Sequence, residues 1–128
     1  MVGKVELEGM CNEVDGTWKE PGDYVEGTPD PLDKGVYVCD LGNSEFTLFS
    51  ASEGPSGMTH DEVILRDKQN DSTFEVDPYQ LNVQHGDIVV DNVSGYYYDG
   101  FTNNRIDNGT VTLHSWDGNM EVEQTITY

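Results

Sequence analysis

The sequence predicts an all-β domain of about eight antiparallel strands, in a meander that closes into a small barrel. Three observations predict it. Short runs alternate apolar and polar residues with a period of two, the mark of a strand with one buried face. Turn signals built from Gly, Asn, Asp and Pro separate these runs at short intervals from Gly35 onward. No stretch sustains the 3.6-residue period of an amphipathic helix. The 128 residues make one domain's worth of chain.

Residues 1–13 carry no clear period and read as a tail or irregular segment, ahead of a single barrel domain over 14–128. Residues 14–20 read as a first strand, ended by Pro21. The turn formers from Pro21 to Pro31 then predict a long polar loop. Residues 35–41 and 45–51 form a hairpin about Gly42-Asn43. A loop over 52–57 leads to a strand over 60–66, with Val63 and Leu65 on one face. Residues 67–72 are a polar turn. Residues 73–84 alternate well but contain Pro78, and the apolar phase shifts between Val76 and Tyr79. Pro78 implies a bulge, an edge or a kink, and the phase shift agrees with one residue bulged out of a single strand. His85-Gly86 is a turn. Residues 87–98 form the next strand, bent at Gly95. Another pairing starts at Arg105 or Ile106, with Asp107-Asn108-Gly109 as a turn or bulge, and continues over 110–116. Asp117-Gly118-Asn119 is a hairpin turn. In the last strand Met120, Val122, Gln124, Ile126 and Tyr128 share one face.

Charge bounds the partners. Asp and Glu number 25 against 6 Lys and Arg, a net charge of −19. A nucleic-acid backbone would meet an acidic surface with no basic patch, so nucleic-acid binding is set aside. Docking to an anionic membrane is disfavoured for the same reason. No apolar run approaches the roughly 20 residues of a membrane-spanning helix, so no membrane insertion is expected. Cys11 and Cys39 could form a disulfide or stay as two free thiols, and the sequence leaves both readings open.

The segment Asp15-Gly16-Thr17-Trp18-Lys19, at the head of an antiparallel meander, resembles the first strand of lipocalin-like (calycin) proteins. The strand that begins Asp61-Glu62-Val63-Ile64-Leu65 also looks like those of small bacterial lipocalin-like domains of the lipid-binding type. The resemblance implies a lipocalin-like barrel whose closed end is crossed by the Trp18 indole. It also implies a late basic residue over that indole, for which Arg105 is the candidate. The Thr-Asp-Tyr signature of the family is absent.

No catalytic motif is present, and an enzyme is not expected. Twenty-five acids make carboxylate pairs easy to draw and uninformative. His60, His85 and His114 are scattered, with no metal-ligand spacing. Asp67, Asp71 and Glu75 fall around one turn, and Asp30 and Asp33 in one loop. Neither set has the glycine of a calcium loop, so no metal or cofactor is predicted. Tyr96-Tyr97-Tyr98 must alternate faces, and Trp116 beside a tight turn is placed to be exposed or to cap a barrel mouth.

These readings converge on a small extracytoplasmic protein that holds an apolar or amphipathic small molecule. Any export signal would lie outside these residues. The expected ligand-binding side chains are Trp18, Val38, Phe46, Leu48, Leu65, Phe74, Tyr97 and Val122, with Val36, Val63, Val76, Met120 and Ile126 also inward. Tyr79 and Val111 are further inward candidates. The alternative is a β-domain that binds carbohydrate or a protein partner through exposed Tyr96, Tyr98 and Trp116.

Overall fold

The computed structural model describes residues 4–25, 29–50, 62–69, 72–99, 102–116 and 118–123, with the backbone alone for 94–99 and 102–104. The chain is mostly β and antiparallel throughout. Helix α1 (Lys4–Glu13) is followed by β1 (Thr17–Lys19), β2 (Val36–Asp40), β3 (Ser44–Phe49), β4 (Glu62–Asp67) and β5 (Ser72–Val76). A 3-10 turn (Pro78–Gln80) leads into β6 (Leu81–Gln84), β7 (Asp87–Asp99), β8 (Thr102–Leu113) and β9 (Met120–Glu123).

Hydrogen bonding runs in the order β1-β2-β3-β4-β5-β7-β8-β9, and β6 also pairs with β7. The 13-residue β7 therefore serves three neighbours, β8 and, in turn, β6 and β5. Its first four residues, Asp87–Val90, pair with β6, and Tyr98 near its end pairs with Thr73 of β5. Between these two parts its register with β8 shifts twice, from Val90 to Val93 and from Val93 to Gly95. Asn92 and Asn108 both take positive φ there, which Asn tolerates better than most residues. Bulges of this kind let one strand pass from one layer to the next. The ladder accordingly folds into two antiparallel layers. One holds β1–β5, and the other holds β6, β9 and the paired parts of β7 and β8. Among the described residues no rung joins β9 to β1, so the ladder is open there.

Both layers contribute to one core. Phe46, Leu48, Val63, Leu65 and Phe74 come from the first, and Leu81, Ile88, Val90, Val111 and Leu113 from the second. Helix α1 touches β1, β2 and β6, so it bridges the two layers, with Leu7, Cys11 and Val14 buried in the same core.

Three expectations are corrected. The segment 1–13, read as a tail or irregular segment, contains α1. Its apolar residues are too few to show a helical stripe, and packing holds it. The stretch 73–84 is two strands rather than one bulged strand. Asp77 caps the 3-10 turn by accepting from Tyr79 N–H at 2.9 Å, and Gln80 Oε1 accepts from Asp77 N–H at 3.2 Å. Pro78, lacking an N–H, suits the first turn position. Tyr79 then lies on that turn at 63% exposure, not inward. Third, Val36 and Val38 lie on the sheet face opposite the main core cluster, where Val38 is nonetheless buried and Val36 half-buried. Tyr37 and Cys39 point inward instead, opposite Leu48 and Phe46. Four consecutive residues that all suit a strand interior leave the phase undetermined, and a one-residue slip exchanges the faces.

Cys11 and Cys39 form a disulfide with Cα atoms 5.9 Å apart, closing a 28-residue separation. By the loop-entropy relation this contributes about 3–4 kcal/mol. Denaturant unfolding of Cys11→Ala/Cys39→Ala should show a loss of about 2–4 kcal/mol relative to the oxidised wild type. Wild type unfolded under reducing conditions should match the double variant. Equal stability of oxidised and reduced wild type would show that α1 is held without the bond.

Candidate functional site

The antiparallel register assembles most of the predicted residues on one line. Trp18 lies opposite Cys39, Cys39 opposite Phe46, Phe46 opposite Leu65, and Leu65 opposite Phe74. Cross-strand neighbours share a face, so this rung runs across the inner surface of the first layer. Leu48 sits on the next rung, between Tyr37 and Val63. Val122 is half-buried and packs on the core from the second layer. Val38 is buried but lies on the other face of β2, outside this core cluster, with Lys19 and Thr47 as its cross-strand neighbours. The side chains of Tyr96, Tyr97 and Tyr98, and Ile126 entire, lie outside the described residues.

The site that stands out is at the β1 edge of this rung. The Trp18 ring stacks on Tyr37 with centroids 5.8 Å apart and planes at 18°, and meets Phe46 at 6.3 Å and 59°. Phe46 is wholly buried while Trp18 is half-buried, so part of the Trp18 side chain stays exposed. Its Nε1, however, is shielded and donates to no acceptor. A buried, unsatisfied donor costs roughly 1–3 kcal/mol. Above Tyr37 stands Lys4 of α1, its Nζ 5.3 Å from the ring centroid. Among the described residues Lys4 makes no ion pair, although acids outnumber bases fourfold. Arg105, expected over the indole, is exposed, and its Nε donates to Asp107 Oδ1 at 3.2 Å. The cation beside the stack comes from the helix that sequence periodicity missed.

A second group of charges lies where β2, β3 and β4 end. Lys68 Nζ donates to Asp40 Oδ1 at 2.8 Å and lies 3.9 Å from Glu45 Oε2, while Arg66 Nη1 is 3.8 Å from Glu45 Oε1. Glu45 is buried, and burial pushes its pKa up against the pull of Lys68 and Arg66. Asp67 and Glu75, two of the three acids around one turn, fall on opposite faces: Asp67 is buried and Glu75 exposed. Asp71 and His60 lie outside the described residues. Among the described residues no group of three His, Cys, Asp or Glu is placed to hold a metal ion.

His114 is the one histidine built into a network among the described residues. Its Nδ1 lies 3.2 Å from Asp87 Oδ2 and its Nε2 3.1 Å from Glu121 Oε2, so the ring spans β7 and β9. The Glu121 hydrogen bond raises its pKa, with further support from Asp87. His85 is exposed in the β6–β7 turn. Trp116, two residues beyond His114, is 83% exposed.

Compared with protein-family models, with curated proteins and with solved structures, the chain matches none.

The two raised pKa values act in separate pH windows with the same sign. A group whose pKa is raised on folding binds more protons in the native state, so stability falls as pH rises. For Glu45 the loss begins above its unfolded value near 4.5. For His114 the contribution is full below 6.5 and is lost as pH rises through the raised folded value. Urea midpoints across this range should show wild type losing stability above pH 6.5 while His114→Asn stays flatter. The gap between the two should narrow with rising pH. Parallel curves would remove His114 as a strand-bridging cation.

Proposed function

We propose that this is a non-catalytic binding domain that receives an apolar or amphipathic small molecule where α1, β1 and β2 meet. The observation that carries the reading is the Trp18 N–H, which is shielded from water and without an acceptor. It sits beside an aromatic wall made by Tyr37 and Phe46. A ligand with an apolar body and a hydrogen-bond acceptor satisfies both features. Its body packs on the exposed part of the indole, and its acceptor removes the penalty of the orphan donor. Lys4 adds a nearby positive charge that suits an electron-rich head group.

In the same reading the two layers close as a lipocalin-like barrel. Met120 and Val122 contact the core, and the alternation of the sequence carries that face on to Tyr128, beyond Glu123. The β8–β9 turn is also close to the β2–β3 turn, since a Cβ built on Gly42 would stand 3.7 Å from Gly118 Cα. That contact draws the β9 side of the ladder toward the β1–β2 side. The disulfide supports an extracytoplasmic setting, because such bonds persist in oxidising compartments.

Titration of Nile red, dodecanol and dodecanoate into the protein tests this reading. Micromolar binding is expected for at least one, equivalent to about −8 kcal/mol. Trp18→Phe keeps an aromatic ring and removes the donor. It should weaken dodecanol or dodecanoate by about tenfold while changing Nile red less. If none of the three binds, or if Trp18→Phe leaves all affinities unchanged, the Trp18 corner is core and not a binding site.

A further inference from the structure

We propose that the opposite corner, which carries Trp116, is a separate binding site whose ligand is a neutral carbohydrate stacked on the indole. Trp116 is 83% exposed, yet the backbone that carries it is fixed on both sides. The turn closes on itself: His114 N–H donates to Asn119 O at 2.8 Å, and Gly118 N–H to His114 O at 2.7 Å. On one flank Ser115 Oγ donates to Gly86 O at 2.6 Å and Ser115 N–H to Asp87 Oδ1 at 3.3 Å, which ties the turn to the β6–β7 turn. On the other flank Gly118, at φ +68°, is pressed against the β2–β3 turn. A Cβ on Gly118 would stand 2.2 Å from Asn43 N and 2.5 Å from Leu41 O, so only glycine fits. Three turns thus converge under one outward indole.

A fixed backbone under an exposed ring lowers the ordering cost of binding, because little remains to be immobilised on contact. An indole offers a broad flat face, and burying that face supplies the driving force. The polar groups at this corner select the ligand class. His114 is clamped between Asp87 and Glu121, which sets both carboxylates in place. Glu121 is 68% exposed in its side chain, and Asn119 is exposed as well. Carboxylate oxygens accept from hydroxyl donors. An apolar side chain carried within two residues of a histidine that holds two carboxylates is complementary to a pyranose ring, which has a C–H face and a rim of hydroxyls. The net charge of −19 selects further, since uronic or sulfated sugars would be repelled.

The test is a calorimetric titration of soluble gluco-, xylo-, manno- and galacto-oligosaccharides, with an oligouronate as the charged control. It uses wild type, Trp116→Ala, Trp116→Phe and Trp18→Phe, each checked for folding by circular dichroism. Because Trp116 is exposed, its variants should fold normally. At least one neutral series should bind with a Kd of roughly 1 mM or tighter. Trp116→Ala should weaken it at least tenfold, Trp116→Phe less, and Trp18→Phe not at all. The oligouronate should bind more weakly than its neutral counterpart, with the gap narrowing as salt rises. The proposal is overturned if no neutral series binds up to about 10 mM, or if Trp116→Ala binds as wild type does. It is also overturned if wild type self-associates in sedimentation and Trp116→Ala does not, since the indole then meets a second protein molecule. Because Trp18→Phe is in the same set, a failure here leaves the Trp18 reading standing or falling on its own ligands.

Discussion

The first layer depends on Cys39 facing inward. Its bond to Cys11 fixes that direction, and the period of two then turns Tyr37 inward and Val36 and Val38 to the opposite face. The register carries the choice across four more strands, so Trp18, Phe46, Leu65 and Phe74 share its rung. The same bond explains the helix. A ten-residue segment with Gly9 inside it is too short to be stable alone. What holds α1 is the burial of Leu7, Cys11 and Val14 and the covalent tie to β2. It also explains the glycine of Gly16-Thr17-Trp18. A Cβ on Gly16 would stand 2.6 Å from the Cys39 sulfur and 2.7 Å from that of Cys11. The glycine makes room for the disulfide, and the tryptophan two residues on reaches the rung beside it.

Much of the β pattern was legible in the sequence because local chemistry and long-range packing agree there. Gly42-Asn43, His85-Gly86 and Gly118 turn the chain where turn residues stand, four of them at positive φ. Val63 and Leu65 share the buried face of β4, as the reading of the sequence has it, with the half-buried Ile64 between them. The phase of β2 was not legible because both of its faces are apolar, and a distant cysteine decides between them. The helix was hidden because its burial is tertiary. The break at Pro78 was visible, but its form was not. A bulge and a capped 3-10 turn both absorb the same phase shift, and the choice rests on the side chains of Asp77 and Gln80. At the candidate site, the aromatic members were legible as apolar inward residues. Lys4 was not, since nothing local marks a lysine that reaches a tyrosine 33 positions later.

Charge organises the rest of the surface. With so few cations, each position carries weight. Lys68 and Arg66 hold Asp40 and Glu45 together at one end of the first layer, so two carboxylates that would otherwise repel are stitched across β2, β3 and β4. Pairs as exposed as Arg105–Asp107 contribute little. The half-buried Lys68–Asp40 pair at 2.8 Å sits in a less screened setting and matters more. His114 does related work in the second layer, joining Asp87 and Glu121 when protonated. Lys68, Arg66 and protonated His114 thus act as strand-to-strand ties, whereas Lys4 faces an aromatic ring.

The two tryptophans occupy opposite physical situations for reasons that lie in the sheet itself. Strand β1 is three residues long and forms one edge of the ladder. So short an edge offers few unpaired backbone groups, which works against recruiting another chain by strand addition. Trp18, on that edge strand, packs on Tyr37 and Phe46 and keeps part of its side chain exposed, while its donor is enclosed. Trp116 is reached by the reverse route. The long β7–β8 hairpin bends at its bulges, carries the second layer over the first, and brings the β8–β9 turn against the β2–β3 turn. Packing there is complete at the backbone and leaves the side chain outside. One corner therefore has a buried polar group in search of an acceptor, and the other has a rigid apolar face in search of cover. In the proposed readings both corners serve recognition, which requires a fixed surface and an uncompensated group.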